Sequence, residues 1–222
     1  MTPPAAGARP VRALFLDIGG VLLTNGWDRH ARRLAADEFG LDLEELEERH
    51  HMTFDAYERG ALSLDEYLNR VVFHGPRHFT REAFSAFMFA RSEAHEDMIG
   101  LVRDLRTAHG LRVAAVSNEG RELMLYRIRM FRLAEFVDAF LASSFIGHRK
   151  PELAIYRMAL DVMQVPPEQI VYVDDREMFV QLARELGIRS IHHASTAATR
   201  AALTSLGLRS GNGVEPAGPR SP

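Results

Sequence analysis

Leu14-Phe15-Leu16-Asp17-Ile18-Gly19-Gly20-Val21-Leu22 is an apolar run interrupted by a carboxylate and two adjacent glycines. No polar residue alternates through 13–16, so this part reads as a strand buried on both faces. A carboxylate directly after a buried strand is held rigidly. The glycines let the backbone turn and come close to a ligand. Outward from this stretch, short apolar runs predict further strands at 113–116, 137–141, 170–173 and 190–192. Helical patterns separate them at 98–108, 122–131, 153–163 and 179–186, and Gly110 and Gly187 stand where left-handed helix caps are wanted. This alternation predicts an α/β fold, with a parallel sheet covered by helices on both sides.

Residues 27–91 break the alternation, with amphipathic helical stretches and no strand. Within them Ser63 and Glu66 form a capping-box signal ahead of Tyr67, Leu68 and Val71. A helical insertion leaving the C-terminal end of the first strand stands beside the ligand crevice of an open α/β sheet. The plainer reading is that it only enlarges the core. The expected division is a core of 11–24 and 92–209, a helical cap of 25–91, and flexible tails at 1–10 and 210–222. Phe84, Phe87 and Phe89 include a pair at i, i+3 spacing, which signals packing within the cap. Trp27 lies where cap and core join, placed to pack there or to touch a substrate.

The composition suits an ordinary globule: 222 residues, 46% hydrophobic, 26% charged, with a formal net charge of −3. The basic residues are scattered, so no nucleic-acid partner is expected. The absence of cysteine excludes disulfides, thiolate catalysis and cysteine metal sites. No apolar run approaches the ~18 residues of a membrane helix, and the first residues lack the apolar stretch of a signal peptide. A cytoplasmic chain without a membrane partner is expected.

Three more segments follow predicted strands or lie in neighbouring loops. In Val116-Ser117-Asn118-Glu119-Gly120 a hydroxyl and an amide at a strand end suit anion binding, or simply a helix N-cap. In Gly147-His148-Arg149-Lys150-Pro151-Glu152 the proline suits the first turn of the next helix. Lys150 suits stabilisation of a phosphoryl charge, or is a solvated loop lysine. In Val171-Tyr172-Val173-Asp174-Asp175 two adjacent acids repel unless a cation stands between them, and oxygen ligands suit Mg²⁺. Turn-forming acids are the plainer reading. Together the four segments supply a nucleophile, an anion clamp, a cation and an acid pair. The pairs His50-His51 and His192-His193 point apart and do not share a metal. Arg127, Arg129 and Arg132 read as a solvated helix edge.

In this order, Asp17-Ile18-Gly19-Gly20-Val21-Leu22, Val116-Ser117-Asn118, Arg149-Lys150-Pro151-Glu152-Leu153-Ala154-Ile155-Tyr156 and Val173-Asp174-Asp175 closely resemble the motifs of the haloacid dehalogenase superfamily, over residues 12–206. The resemblance implies a Rossmann-like core with an inserted α-helical cap. It implies that Asp17 attacks phosphorus and forms an aspartyl-phosphate. Mg²⁺ is then expected on Asp17, the Gly19 carbonyl and Asp175, with Asp174 acting through water. Ser117, Asn118 and Lys150, with the Gly20 backbone, are expected to hold the phosphoryl group. The Asp-x-Gly start resembles sugar-phosphate phosphatases such as glucose-1-phosphate phosphatases, so a small phosphorylated metabolite is the expected substrate.

Two departures stand out. Most phosphatases of the superfamily carry an acid two residues after the nucleophile, where this chain has Gly19. Glu119 and His148, in neighbouring loops, are the candidate substitutes. Phe179 stands where asparagine is common, and reads as core. Two other activities fit the same motifs. One is metal-free 2-haloacid dehalogenation, against which the Asp174-Asp175 pair counts. The other is a weakly active or non-catalytic regulatory module.

Overall fold

Five strands, β1 (Ala13–Leu16), β2 (Arg112–Ser117), β3 (Ala139–Ala142), β4 (Ile170–Asp174) and β5 (Arg189–His192), form one parallel sheet in this computed structural model, which describes residues 9–210. Their order is β3-β2-β1-β4-β5. β1 is central because all its residues are apolar and buried: Leu14 pairs with Val113 on one side and Val171 on the other. The direction of winding reverses between β1 and β4, and at such a switch the loops beyond the strand ends part to leave a crevice. Asp17 and Asp174 stand together there. The tails expected at 1–10 and 210–222 lie outside the described residues, apart from Arg9, Pro10 and Ser210.

Four helices separate β1 from the core helix α5 (Glu96–His109) that precedes β2. They are α1 (Arg29–Phe39), α2 (Leu43–Glu58), α3 (Leu64–Val71) and α4 (Arg81–Phe89). They bury a cluster that also takes in Leu123 of the core, in which Phe84 is fully buried, with Phe39 at 5.0 Å and Trp27 edge-on at 5.7 Å. Ser63 and Glu66 make the reciprocal capping box at the start of α3. Phe87 is only partly buried, and Phe89 stacks on Tyr126 of α6 (Arg121–Met130), so it faces the core. The two connections to the core run antiparallel. Leu23 bridges Ala94, Thr24 N–H donates to the Glu93 carbonyl at 2.9 Å, and Thr24 Oγ1 donates to the Arg91 carbonyl at 2.8 Å.

Elsewhere the boundaries shift for local reasons. Val137 closes a tight turn by donating to the Leu133 carbonyl, so β3 begins only at Ala139 rather than at 137. Helix α7 (Ser143–Ile146) is a single turn. After α8 (Leu153–Met163) and α9 (Glu177–Glu185), α10 (Thr196–Ser205) buries only Thr199 and Leu203, too few for a clear apolar stripe. Pro151 follows a cis bond and precedes the Glu152 N-cap of α8, so it is outside the helix rather than in its first turn. No helix among the described residues is long and apolar enough to cross a membrane.

If the cap rests on its own core, Phe84→Ala will cost about 3–5 kcal/mol of stability. Phe87→Ala, at a partly buried position, will cost markedly less. Urea unfolding of the two variants measures the difference.

Candidate active site

Asp17 leaves β1 with its N–H donating to the Val173 carbonyl of β4 at 2.9 Å, so its backbone is tied across the switch point. Its carboxylate is held from three directions. Oδ1 accepts from the Ile18 N–H at 2.7 Å and from Ser117 Oγ, at the end of β2, at 2.6 Å. Oδ2 lies 2.8 Å from Lys150 Nζ. Lys150 is not a solvated loop lysine: it is 1% exposed, with its ammonium also 2.7 Å from Asp174 Oδ2 and 4.9 Å from the centre of the Phe179 ring. Phe179 packs in the core beneath it. Tyr172 donates its hydroxyl to Asp174 Oδ2, and the Arg176 N–H donates to Oδ1 at 2.8 Å. Both oxygens of Asp174 are therefore engaged.

The charges shape one another. Burial pushes Asp17 up to about 6, against the pull of Lys150 and with a further push from Asp174. For Asp174, burial acts upward too, but Lys150 and the Tyr172 hydrogen bond outweigh it and hold the group below its usual range. Burial alone would lower Lys150, yet its two carboxylate neighbours raise it further above its ordinary value. The lysine is a fixed cation.

The Asn118 side chain is committed to the lysine loop. Its Oδ1 accepts from the Lys150 N–H and its Nδ2 donates to the Lys150 carbonyl, both at 2.8 Å. Gly20 likewise gives its N–H to the Leu23 carbonyl at 2.7 Å. Its φ of +75° and its clearance explain the glycine, since a Cβ there would lie 2.2 Å from Asp175 Oδ2.

Asp175 accepts from Asn25 Nδ2 at 3.3 Å through Oδ2, whereas its Oδ1 is buried with no partner among the described residues. One carboxylate oxygen from each of Asp17, Asp174 and Asp175 lies within 4.8 Å of the others. A buried carboxylate oxygen left unpaired is costly, and an oxygen-only set of this kind fits Mg²⁺.

A cavity of about 370 Å³ lies between cap and core, lined by Trp27, Tyr57 and Glu58 from the cap side and by Asn118, Glu119 and Arg176 from the core. Trp27 thus both packs and lines the cavity, with its Nε1 donating to Tyr67 at 2.8 Å. Glu119 borders the position of the missing acid together with Asn25: a Cβ built on Gly19 would lie 2.8 Å from Asn25 Oδ1 and 3.7 Å from Glu119 Oε1. Burial pushes its carboxyl up to about 7 against the pull of Arg127, and the charge of Asp17 adds to the rise. His148 is instead bound to Glu152 at 3.0 Å and does not line the cavity. His192 and His193 point apart, with His192 Nε2 at the Asp175 carbonyl and His193 Nδ1 at Thr199, whereas His50 and His51 both lie beside the Phe54 ring.

Arg127 corrects the reading of a solvated helix edge. It is fully buried and pairs with Glu119, while Arg129 and Arg132 are exposed. Leu123 and Arg127 are spaced i, i+4 on the buried face of α6, which was the available signal. Tyr172 was also missed. It sits two residues before Asp174 on the same face of β4, the spacing that brings its hydroxyl to that carboxylate. Asn25, beside Asp175, carries no local signal.

The sequence profile of the haloacid dehalogenase-like hydrolases matches residues 11–187. Drimenol cyclase drtB from Aspergillus calidoustus is 33% identical over 192 residues, 82% of this chain and 34% of that protein, so the chain spans about a third of that relative. A phosphorylated carbohydrates phosphatase from Thermotoga maritima is 22% identical over 194 residues, 82% of this chain and 84% of that protein. Among solved structures, the magnesium complex of a HAD family enzyme from Bacteroides thetaiotaomicron superposes with a TM-score of 0.70 at 19% identity, covering 83% of this chain and 94% of that one. That likeness shows the fold.

Arg127→Met strands the buried Glu119 carboxylate and will cost about 3–5 kcal/mol. Arg129→Met, on the exposed face, will change stability by less than about 0.5 kcal/mol. Urea titration of both variants checks the contrast.

Proposed function

The chain belongs to the haloacid dehalogenase-like hydrolase family, and on that premise we propose that it is a magnesium-dependent phosphatase acting on a small phosphate monoester, a sugar phosphate first of all. The observation that carries this reading is Asp175, which has one carboxylate oxygen without a partner among the described residues and clusters within 4.8 Å with Asp17 and Asp174, beside the fixed cation Lys150. The Thermotoga relative, named for phosphorylated carbohydrates, and a mixed polar cavity lined by Asn25, Asn118 and Glu119 support the substrate class. A chain without cysteine suits the cytoplasm.

Asp17 is the nucleophile. Its carboxylate attacks phosphorus, the bond to the ester oxygen breaks, and the resulting aspartyl-phosphate is cleaved by water. Ser117 orients the carboxylate, and Lys150 stabilises the charge on the phosphoryl oxygens. Asn118 acts through the Lys150 backbone. Asp17, the Gly19 carbonyl and Asp175 would hold Mg²⁺, with Asp174 acting through water, and the ion would screen the two anions that must meet. Glu119 takes the place of the acid absent at Gly19 and delivers the leaving-group proton. A carboxyl at about 7 still carries part of its proton at neutral pH.

The competing metal-free dehalogenase reading leaves the stranded Asp175 oxygen without a purpose. Turnover of p-nitrophenyl phosphate is expected to need Mg²⁺, to vanish on chelation, and to fall to background in Asp17→Asn. Halide release from a 2-chloroacid that survives chelation would replace the phosphatase by a dehalogenase. Absence of both activities would leave a regulatory module. Glu119→Gln will lower kcat on a hexose phosphate by about 10²-fold or more. It will leave p-nitrophenyl phosphate nearly untouched, because nitrophenolate departs without a proton.

A further inference from the structure

The sequence singled out Arg127 only as part of a charged edge, and the mechanism above gives it no chemical step. Its contacts converge on more than one functional part of the molecule. Its Nη1 pairs with Glu119, which lines the cavity between cap and core. Its Nη2 donates to the Thr24 carbonyl at 3.0 Å, on the chain leaving the core for the cap. Its Nε donates to Ser92 Oγ at 3.1 Å, on the chain returning from the cap. Two residues after Thr24, Gly26 leaves room for the guanidinium, since a Cβ there would lie 1.9 Å from Nη2.

We propose that Arg127 is a positioning residue that staples both cap connections to the Glu119 carboxylate, so that the position of the cap and the aim of Glu119 are set together. A guanidinium suits this task because its donors are fixed in one plane and can serve three partners at once. An ammonium on a flexible stem cannot reproduce that fork. The connections are also joined to each other at Thr24 and Glu93, so a group that grips both acts on the pair as one hinge. Motion of the cap about this hinge pulls on Arg127 and, through it, on the carboxylate that faces the leaving group. The kinetic consequence rests on the phosphatase reading; the conformational one does not.

The test compares wild type, Arg127→Lys and Ser92→Ala. Trp27 is the chain's one tryptophan and lines the cavity beside the hinge, so acrylamide quenching of its fluorescence reports loosening of the cap without any substrate. Arg127→Lys is expected to raise the quenching constant about twofold with unchanged far-UV circular dichroism, as a population shift toward a looser cap requires. On a hexose phosphate, kcat should drop about tenfold or more while KM stays within about threefold. The split arises because Lys150, which stabilises the phosphoryl charge, and Ser117, which orients Asp17, are not among the partners of Arg127. Ser92→Ala removes one contact without stranding a charge, and should move both readouts in the same direction by less. It serves alone if Arg127→Lys does not fold. Unchanged quenching in folded variants would overturn the proposal, as would equal losses in kcat and in affinity. If wild type turns over no phosphate ester, the phosphatase reading falls, and the quenching comparison still decides the hinge.

Discussion

The ammonium of Lys150, shared between Asp17 and Asp174 at 2.8 and 2.7 Å, is the interaction on which the rest of the site depends. Two carboxylates brought side by side at the ends of neighbouring strands repel, and burial penalises both. One buried cation makes the arrangement tenable. Its position is over-determined by Asn118, which grips the lysine backbone from both sides, and by Tyr172 and Phe179, which wall in the side chain. The parallel sheet sets the distances: β1 and β4 are adjacent and in register, so Asp17 and Asp174 emerge at the same level.

Lys150 compensates only part of the negative charge. Asp175 is not one of the ammonium's ion-pair partners; it is braced by Asn25 and through its backbone by His192, and one of its oxygens has no partner among the described residues. The site therefore holds a buried cation and, beside it, an acid cluster with one carboxylate oxygen still free of a partner among the described residues. The same logic recurs at Glu119 and Arg127, where burying a carboxylate requires burying its counter-charge. That second pair lies at the junction of cap and core, so the electrostatics of the cavity and the geometry of the hinge share one guanidinium.

The motifs were legible because each is local. Asp17 follows an apolar strand, Lys150 precedes a proline, and Asp174-Asp175 ends an apolar run, all within a few residues. The sheet and most helices were legible for the same reason: burial on both faces erases polar alternation, and a helix repeats its apolar face. The helix at 196–205 was not legible, because it buries too little to leave a period. Nor was the late start of β3, since the turn at Val137 depends on a carbonyl four residues earlier rather than on hydropathy.

By itself the sequence determined the α/β class, the helical insertion after the first strand and the residues that gather at the strand ends. Those follow from periodicity and short-range order. Only the tertiary structure decided what those residues do for one another. The Asn118 side chain braces the Lys150 backbone, Gly20 makes room for Asp175, Asn25 and Glu119 border Gly19, and Arg127 is buried rather than solvated. Each of these rests on contacts between segments far apart in the chain. Polar side chains look alike in a sequence whether they face water or a buried charge, and only the packing of distant segments tells the two apart.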